Sequence, residues 1–417
     1  MGSETERRNP SAEHPAVTNF RRYLRIKTVQ PEPDYDGAIK FLKEMAGELG
    51  LPYKVIEVSP GKPVFVMTVE GKDPSLPSLM LNSHIDVVPV DMDCWKVDPF
   101  SAEKMENGDI YARGTQDMKC VGIQYIEAIR QLLKDGKKML RNIHLTFMPE
   151  EEVGGILGMK LFVKREEFKQ LNIAFALDEG LANPTEHFTI FYGERSAWWA
   201  KVKCSGNPGH GSRFIENTAA EKFRNIINKL LSLRDEEEKK LKSNPNLVLG
   251  DVTSVNLTMV QGGQQHNVVP SQLTACFDIR VPPSVDPVQF EERLNNLCKE
   301  AGEGLTLEYV QKGCANKLTS IDDNNIWWKT FSSTFENMNL KIKTEIFPAG
   351  TDSRFLRELG YPALGFSPMN FTPILLHDHN EFLNENIFVK GIDIYYNLIS
   401  NLANVKKLFL SQKYQVK

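Results

Sequence analysis

Four short apolar runs, at 64–69, 78–83, 143–148 and 173–177, alternate with longer stretches near 15–28, 36–49 and 119–134. In the longer stretches apolar residues return at the three-to-four spacing of one helix face; the short runs have the length of buried strands. Strands alternating with helices predict an α/β fold built on a mostly parallel sheet. From 191 to 311 the texture changes. A strand pattern at 194–204 leads into a helix in which Thr218 and Glu221 have capping-box spacing and Phe223, Ile226, Ile227, Leu230 and Leu231 share a face. The charged run 234–242 continues that helix as a solvated surface. Strand patterns at 252–260 and 273–281 follow, then a helix opened by Asp286 and Pro287, then a strand at 305–310. The order β-α-β-β-α-β predicts a ferredoxin-like module. Alternation resumes over 312–417 and ends in a helical pattern near 385–405.

A chain of 417 residues exceeds what one core supports, so two domains are expected. If the last segment joins the first, the middle block is an insertion, and the catalytic domain is split into 1–190 and 312–417 around 191–311. A 41% apolar, 25% charged composition is that of a soluble globular protein. Net charge is −4 with Lys and Arg dispersed, which argues against nucleic acid as a partner. No apolar run is long enough to cross a bilayer, and the polar start 1–8 lacks the apolar core of a signal peptide. Glu at position 6 does not support myristoylation. Six cysteines, at 94, 120, 204, 276, 298 and 314, form no Cys-x-x-Cys pair, so reduced thiols and a cytoplasmic location are expected. The sequons at Asn256 and Asn370 then read as chance matches.

The chemistry sits at the ends of the apolar runs. His84 and Asp86 follow the run at 78–83, Glu150, Glu151 and Glu152 follow 143–148, and Asp178 and Glu179 follow 173–177. Asp117 follows 111–116, and His377, Asp378 and His379 lie in a late acidic string ending at Glu381. Ligands at the ends of buried strands converge on one crevice in open α/β sheets. Each group has a plainer reading. His84 could be a hydrogen-bonded structural histidine, Asp117 a helix cap, the glutamate triplet a helix-start acid cluster, Asp178 and Glu179 a polar strand end, and His377 part of a surface loop. Five such groups in one chain favour a metal-dependent hydrolase. Asp86 can fix the tautomer of a ligating His84, and a carboxylate such as Asp117 can bridge two ions roughly 3.5–4 Å apart. Of two adjacent glutamates, one can bind metal while its neighbour takes a proton from the attacking water. No His-Glu-x-x-His, Walker, Rossmann or Gly-x-Ser-x-Gly pattern offers another chemistry.

The strings Ser83-His-Ile-Asp-Val-Val-Pro89, Ala112-Arg-Gly-Thr-Gln-Asp-Met-Lys119, Glu150-Glu-Glu-Val-Gly-Gly155, Ala176-Leu-Asp-Glu-Gly180 and His377-Asp-His-Asn-Glu381 resemble, in order, the dinuclear zinc aminoacylase/carboxypeptidase family. Arg195-Ser-Ala-Trp-Trp199, Gly209-His-Gly-Ser-Arg213 and Leu364-Gly-Phe-Ser-Pro-Met-Asn370 resemble its aminoacylase branch. The resemblance implies two Zn2+ per subunit, one on His84, Asp117 and Glu179, the other on Asp117, Glu152 and His377. It implies Glu151 as general base and proton donor, and Asp86 as the group orienting His84. It makes the middle block a lid and homodimerisation domain whose His210 stabilises the oxyanion in the partner's site, assisted by Asn267. Arg280 and Arg354 become candidates for the substrate carboxylate. Glu150 departs from the related pattern, which has Asp there. The implied reaction is hydrolysis of N-acyl-L-amino acids, with a small-molecule substrate and no membrane or nucleic-acid partner. A metallo-dipeptidase or carboxypeptidase, or a non-catalytic dimeric binding protein on a retired hydrolase fold, are the alternatives.

Overall fold

The computed structural model describes residues 13–313 and 317–406. The N-terminal segment 1–8 and Cys314 lie outside the described residues. The chain divides into two compact units. The first holds Met1–Ile190, Ser320–Lys343 and Tyr361–Lys417; the second holds Phe191–Thr319 and Thr344–Gly360.

The main sheet has eight strands, in the order Tyr53–Ser59, Lys62–Val69, Ile143–Met148, Ser78–His84, Ile173–Asp178, Ala363–Phe366, Phe188–Glu194 and Ile342–Phe347. Its centre is parallel: Ser78–His84 pairs in parallel with Ile143–Met148 and Ile173–Asp178, and Ala363–Phe366 pairs in parallel with Ile173–Asp178. Tyr53–Ser59 and Lys62–Val69 form an antiparallel hairpin at one edge, and Lys62–Val69 pairs antiparallel with Ile143–Met148. The sheet is therefore mixed rather than mostly parallel. The edge strand Tyr53–Ser59 escaped sequence reading because four of its seven residues are exposed, leaving no apolar run. The central strands Ser78–His84 and Ile143–Met148 are buried at every position, which is why they read as continuous apolar segments.

Helices Pro15–Leu24, Tyr35–Leu49, Lys119–Lys134 and Glu385–Leu402 pack against this sheet or one another. Tyr35–Leu49 begins where the Asp34 carboxylate accepts the Gly37 N–H and stops at Gly50, whose φ of 65° suits a residue without Cβ. Such a cap contributes about 1 kcal/mol. Lys119–Lys134 has no side-chain cap at its start, which leaves Asp117 free of that duty.

The second unit carries a four-stranded antiparallel sheet in the order Ser254–Gly262, Gln272–Val281, Ser196–Ser205 and Leu305–Lys312. With helices Ala219–Ser243 and Pro287–Ala301 the elements run β-α-β-β-α-β. Alternate residues Trp198, Ala200, Val202 and Cys204 face a core shared with Ile226, Leu230 and Leu233 of one helix and Phe290, Leu294 and Cys298 of the other. Thr218 and Glu221 form the capping box, and the charged run 234–242 completes a single 25-residue helix.

Candidate metal centre

The parallel strands deliver their carboxyl ends to one place. Ser78–His84 ends on His84, which is 1% exposed. Its ring Nδ1 lies 2.8 Å from the backbone carbonyl of Asp86. A carbonyl only accepts, so Nδ1 carries the hydrogen and Nε2 is left as the donor atom for a ligand. Nε2 faces Asp117 Oδ1 at 2.8 Å and Glu179 Oε2 at 3.5 Å. The other oxygen of Asp117, Oδ2, faces Nε2 of His377 at 3.1 Å, and Glu152 Oε2 stands 3.0 Å from that same nitrogen. Asp117 thus turns one oxygen to each imidazole. Sets of His84, Asp117 and Glu152, and of His84, Glu151 and Glu179, each offer ligand atoms lying within 4.8 Å of one another.

The glutamates reach the site through a tight turn. Glu150 has φ 70° and Gly154 φ 107°, bracketing a single 3-10 turn over Glu151–Val153. The triplet is therefore no helix-start cluster; a helix begins only at Met159. The Tyr35 hydroxyl accepts the Glu150 N–H at 2.9 Å, and the Glu150 carboxylate accepts the N–H of Leu157. Asp86 contacts His84 mainly through its backbone and turns its carboxylate to the glutamates. Its Oδ1 is 4.0 Å from Nδ1 of His84, while its two oxygens accept the N–H groups of Glu151 at 3.1 Å and Glu152 at 3.3 Å. The Asp86 backbone orients the histidine, and its carboxylate holds the glutamate turn. Gln30 donates to the same carboxylate at 2.7 Å. Nothing in the sequence marked Gln30, which lies 56 residues away. Beneath the site a polar chain crosses three strands: the Thr146 hydroxyl donates to Asn82 at 2.8 Å and Asn82 donates to Asp178 at 3.1 Å. Arg113 and Glu381 stand in two of the motif strings, and their side chains pair with each other in the buried site.

Electrostatics in this cluster are dominated by crowded carboxylates. Asp117, Glu151, Glu152 and Glu179 are four carboxylates in a largely buried space. Burial, then the charge of Asp117, pushes Glu152 up to about 7. The same two causes raise Glu179 well above the carboxylate range, and Glu151 adds to them. Burial opposes charge on His84, but Glu179 and Asp117 outweigh it and raise its pKa. Burial likewise opposes charge on the half-exposed His377, yet Asp117 and Glu152 carry it up to about 10. Burial works to raise Asp117, and the two histidines overcome it and hold it below the usual range. The directions of these shifts favour added positive charge among the carboxylates, which a bound cation would supply in place of protons. Glu152 Oε1 is buried without a hydrogen-bond partner. Imidazole nitrogens and carboxylate oxygens are the donor set of zinc and similar divalent ions, so the residues fit a metal.

The remaining sequence candidates belong to the second unit. His210 is exposed, with Nδ1 2.8 Å from the Ser212 hydroxyl. The short ladder pairing Gly209–His210 with Val268–Val269 places it beside Asn267, whose carbonyl accepts the Gly211 N–H at 2.8 Å. Arg280 turns its guanidinium fork onto Asp278 at 2.6 and 2.9 Å. Arg354 donates to the Thr351 carbonyl at 2.9 Å.

Comparison with known proteins identifies the family. A chain named aminoacylase-1 from Mus musculus is 57% identical over 401 residues, 96% of this chain and 98% of that one. Among solved structures, an M20-family metallo-carboxypeptidase from Sulfolobus solfataricus superposes with TM-score 0.72 at 18% identity, covering 94% of this chain and all of its own. A dinuclear metal-binding M20 peptidase from Bacillus subtilis gives TM-score 0.68 at 15% identity, covering 92% of this chain and 97% of its own. The description Peptidase family M20/M25/M40 matches residues 80–401, a stretch that begins inside the strand ending on His84 and runs past His377, and this chain belongs to that family.

Proposed function

We propose that this protein hydrolyses N-acyl-L-amino acids to a carboxylate and a free L-amino acid, with two zinc ions per subunit. The observation that carries the reading is Asp117, one oxygen toward His84 and the other toward His377, with Glu179 beside the first imidazole and Glu152 beside the second. His84, Asp117 and Glu179 would hold one ion; Asp117, Glu152 and His377 the other. Zinc supplies Lewis-acid polarisation of the acyl carbonyl and a water acidic enough to react near neutral pH. Glu151 accepts a proton on its carboxylate as the water oxygen bonds to the acyl carbon. It returns that proton to the amine nitrogen as the C–N bond breaks. Asp86 keeps Glu151 in place through the backbone N–H it accepts.

The mouse relative's name, aminoacylase-1, supports the substrate class. In the second unit, His210 would stabilise the oxyanion in a partner subunit's site, with Asn267 assisting and Arg280 or Arg354 gripping the substrate carboxylate. Its exposed position suits a group that acts outside its own unit. Met259 and Val260, exposed on the edge strand Ser254–Gly262, support homodimerisation through this unit. A cytoplasmic location accords with cysteines that are all free among the described residues. The test is a panel of N-acetyl-L- and N-acetyl-D-amino acids, run with chelator and with zinc restored, beside methionine dipeptides. L-selective, chelator-sensitive release of amino acid is expected. Full turnover after metal removal, or faster cleavage of the dipeptides, refutes the reading.

A further inference from the structure

Asp117 and His377 come from loops 260 residues apart, yet their ligand atoms must keep one separation. What ties the loops is a buried ion pair. Arg113 is 2% exposed and Glu381 0%. Arg113 Nη1 donates to Glu381 Oε2 at 2.8 Å and to the Asp378 carbonyl at 3.1 Å; Nη2 donates to the His377 carbonyl at 3.3 Å. Glu381 gathers the other loop. Its Oε2 also accepts the Gly114 N–H at 3.1 Å. Its Oε1 accepts the N–H groups of Gln116 at 2.6 Å and Asp117 at 3.3 Å, and the Thr115 hydroxyl at 3.3 Å. Each side chain thus grips the loop that the other comes from.

We propose that Arg113 and Glu381 are positioning residues that lock Asp117 and His377 into one metal-binding unit. This rests on the hydrolase reading above. His377 needs such a lock: it is half exposed and sits at φ 63°, in a loop whose backbone has no sheet to hold it. Arg113 supplies the hold through two backbone carbonyls, and only a planar fork with several N–H groups reaches both carbonyls and a carboxylate together. Lysine keeps the charge but cannot reproduce the fork. Removing the Glu381 charge frees the Asp117 loop instead. Neither residue is a ligand, so their effect must show as weakened metal binding, in the range of about 10–100-fold typical of groups that orient ligands.

The test uses the full-length enzyme, Arg113→Lys and Glu381→Gln. Each is dialysed against graded chelator with zinc alone as the probe, and bound zinc is counted by elemental analysis. Melting is followed with and without zinc. Both variants are expected to release zinc at chelator activities at least ten times lower than wild type, and to gain less melting temperature on adding zinc. Excess zinc should restore kcat in Arg113→Lys with KM unchanged. A merely structural pair would lower the melting of stripped and loaded enzyme equally and leave zinc affinity alone; that result overturns the proposal. If Glu381→Gln does not accumulate folded, Arg113→Lys decides by the same readout. Wild type that binds no zinc defeats the hydrolase reading instead, so the two failures are distinguishable.

Discussion

Replacing Glu151 by glutamine separates the proton shuttle from the metal ligands. The side chain keeps its size and loses only its charge and basicity. General-base contributions of 10²–10⁴-fold correspond to a barrier rise of about 3–5 kcal/mol. The same change removes one of four crowded carboxylates. Glu151 has a ligand atom within 4.8 Å of one on Glu179, and two like charges at that distance repel by roughly 3.5 kcal/mol at an effective dielectric constant of 20. Burial and Asp117 already disfavour the charged form of Glu179, so the stripped variant should be as stable as wild type or more so, by less than this bound. Three measurements on one preparation decide: kcat on N-acetyl-L-methionine, zinc content, and melting of the chelated protein. The expected result is kcat down at least a hundredfold, zinc content unchanged, and stripped-state melting equal or higher. Loss of zinc along with activity would make Glu151 a ligand, as its grouping with His84 and Glu179 permits, and would falsify its assignment as the base.

Removing metal with chelator should lower the melting temperature as well as abolish turnover, because the cluster must then collect protons in place of ions; an unchanged melting curve with two zinc ions released contradicts this. His144, 5% exposed beside the Thr68 hydroxyl, is pushed down to about 4 by burial and then by Lys54, against the opposing Leu171 backbone. The unfolded chain therefore binds the extra proton between pH 6.5 and 4, and ~3 kcal/mol of stability, full above 6.5, is lost as pH falls through that window. His144→Gln should flatten that loss when both stripped proteins are melted at pH 7 and pH 5; parallel losses refute it. Trp198→Ala, at the fully buried centre of the second unit, should cost about 3–5 kcal/mol in denaturant unfolding, and a change under 1 kcal/mol would mean the site collapses around the gap. Mixing a His210→Ala chain with a Glu151→Ala chain should restore activity if His210 acts across a dimer; none recovered counts against that role.

Three of the proposed ligand groups were legible because they stand at or just past the ends of buried strands: His84, the pair Glu151 and Glu152, and Glu179. Asp117 and His377 lie in loops and were marked only by their motif strings. Ser78–His84, Ile143–Met148 and Ile173–Asp178 are buried at nearly every position and mainly apolar, and the acids that close or follow them break the pattern. The second unit was legible for a similar reason: its helices are amphipathic and capped, and Trp198, Ala200 and Val202 alternate with exposed or half-exposed neighbours. The edge strand Tyr53–Ser59 was not, because edge strands bury too little to leave a period.

What the sequence by itself determined is which buried strands and capped helices form, and which residues are of metal-binding type, since both depend on local spacing and residue type. Tertiary structure alone decided how those residues divide the work. Whether Asp86 serves His84 through its carboxylate or its backbone, where the two oxygens of Asp117 point, and that Arg113 and Glu381 bind two distant loops together all depend on contacts between segments far apart in the chain. A side chain's hydrogen-bond partners are set by the direction in which the folded backbone aims it, and that direction exists only after the sheet has brought the strand ends together.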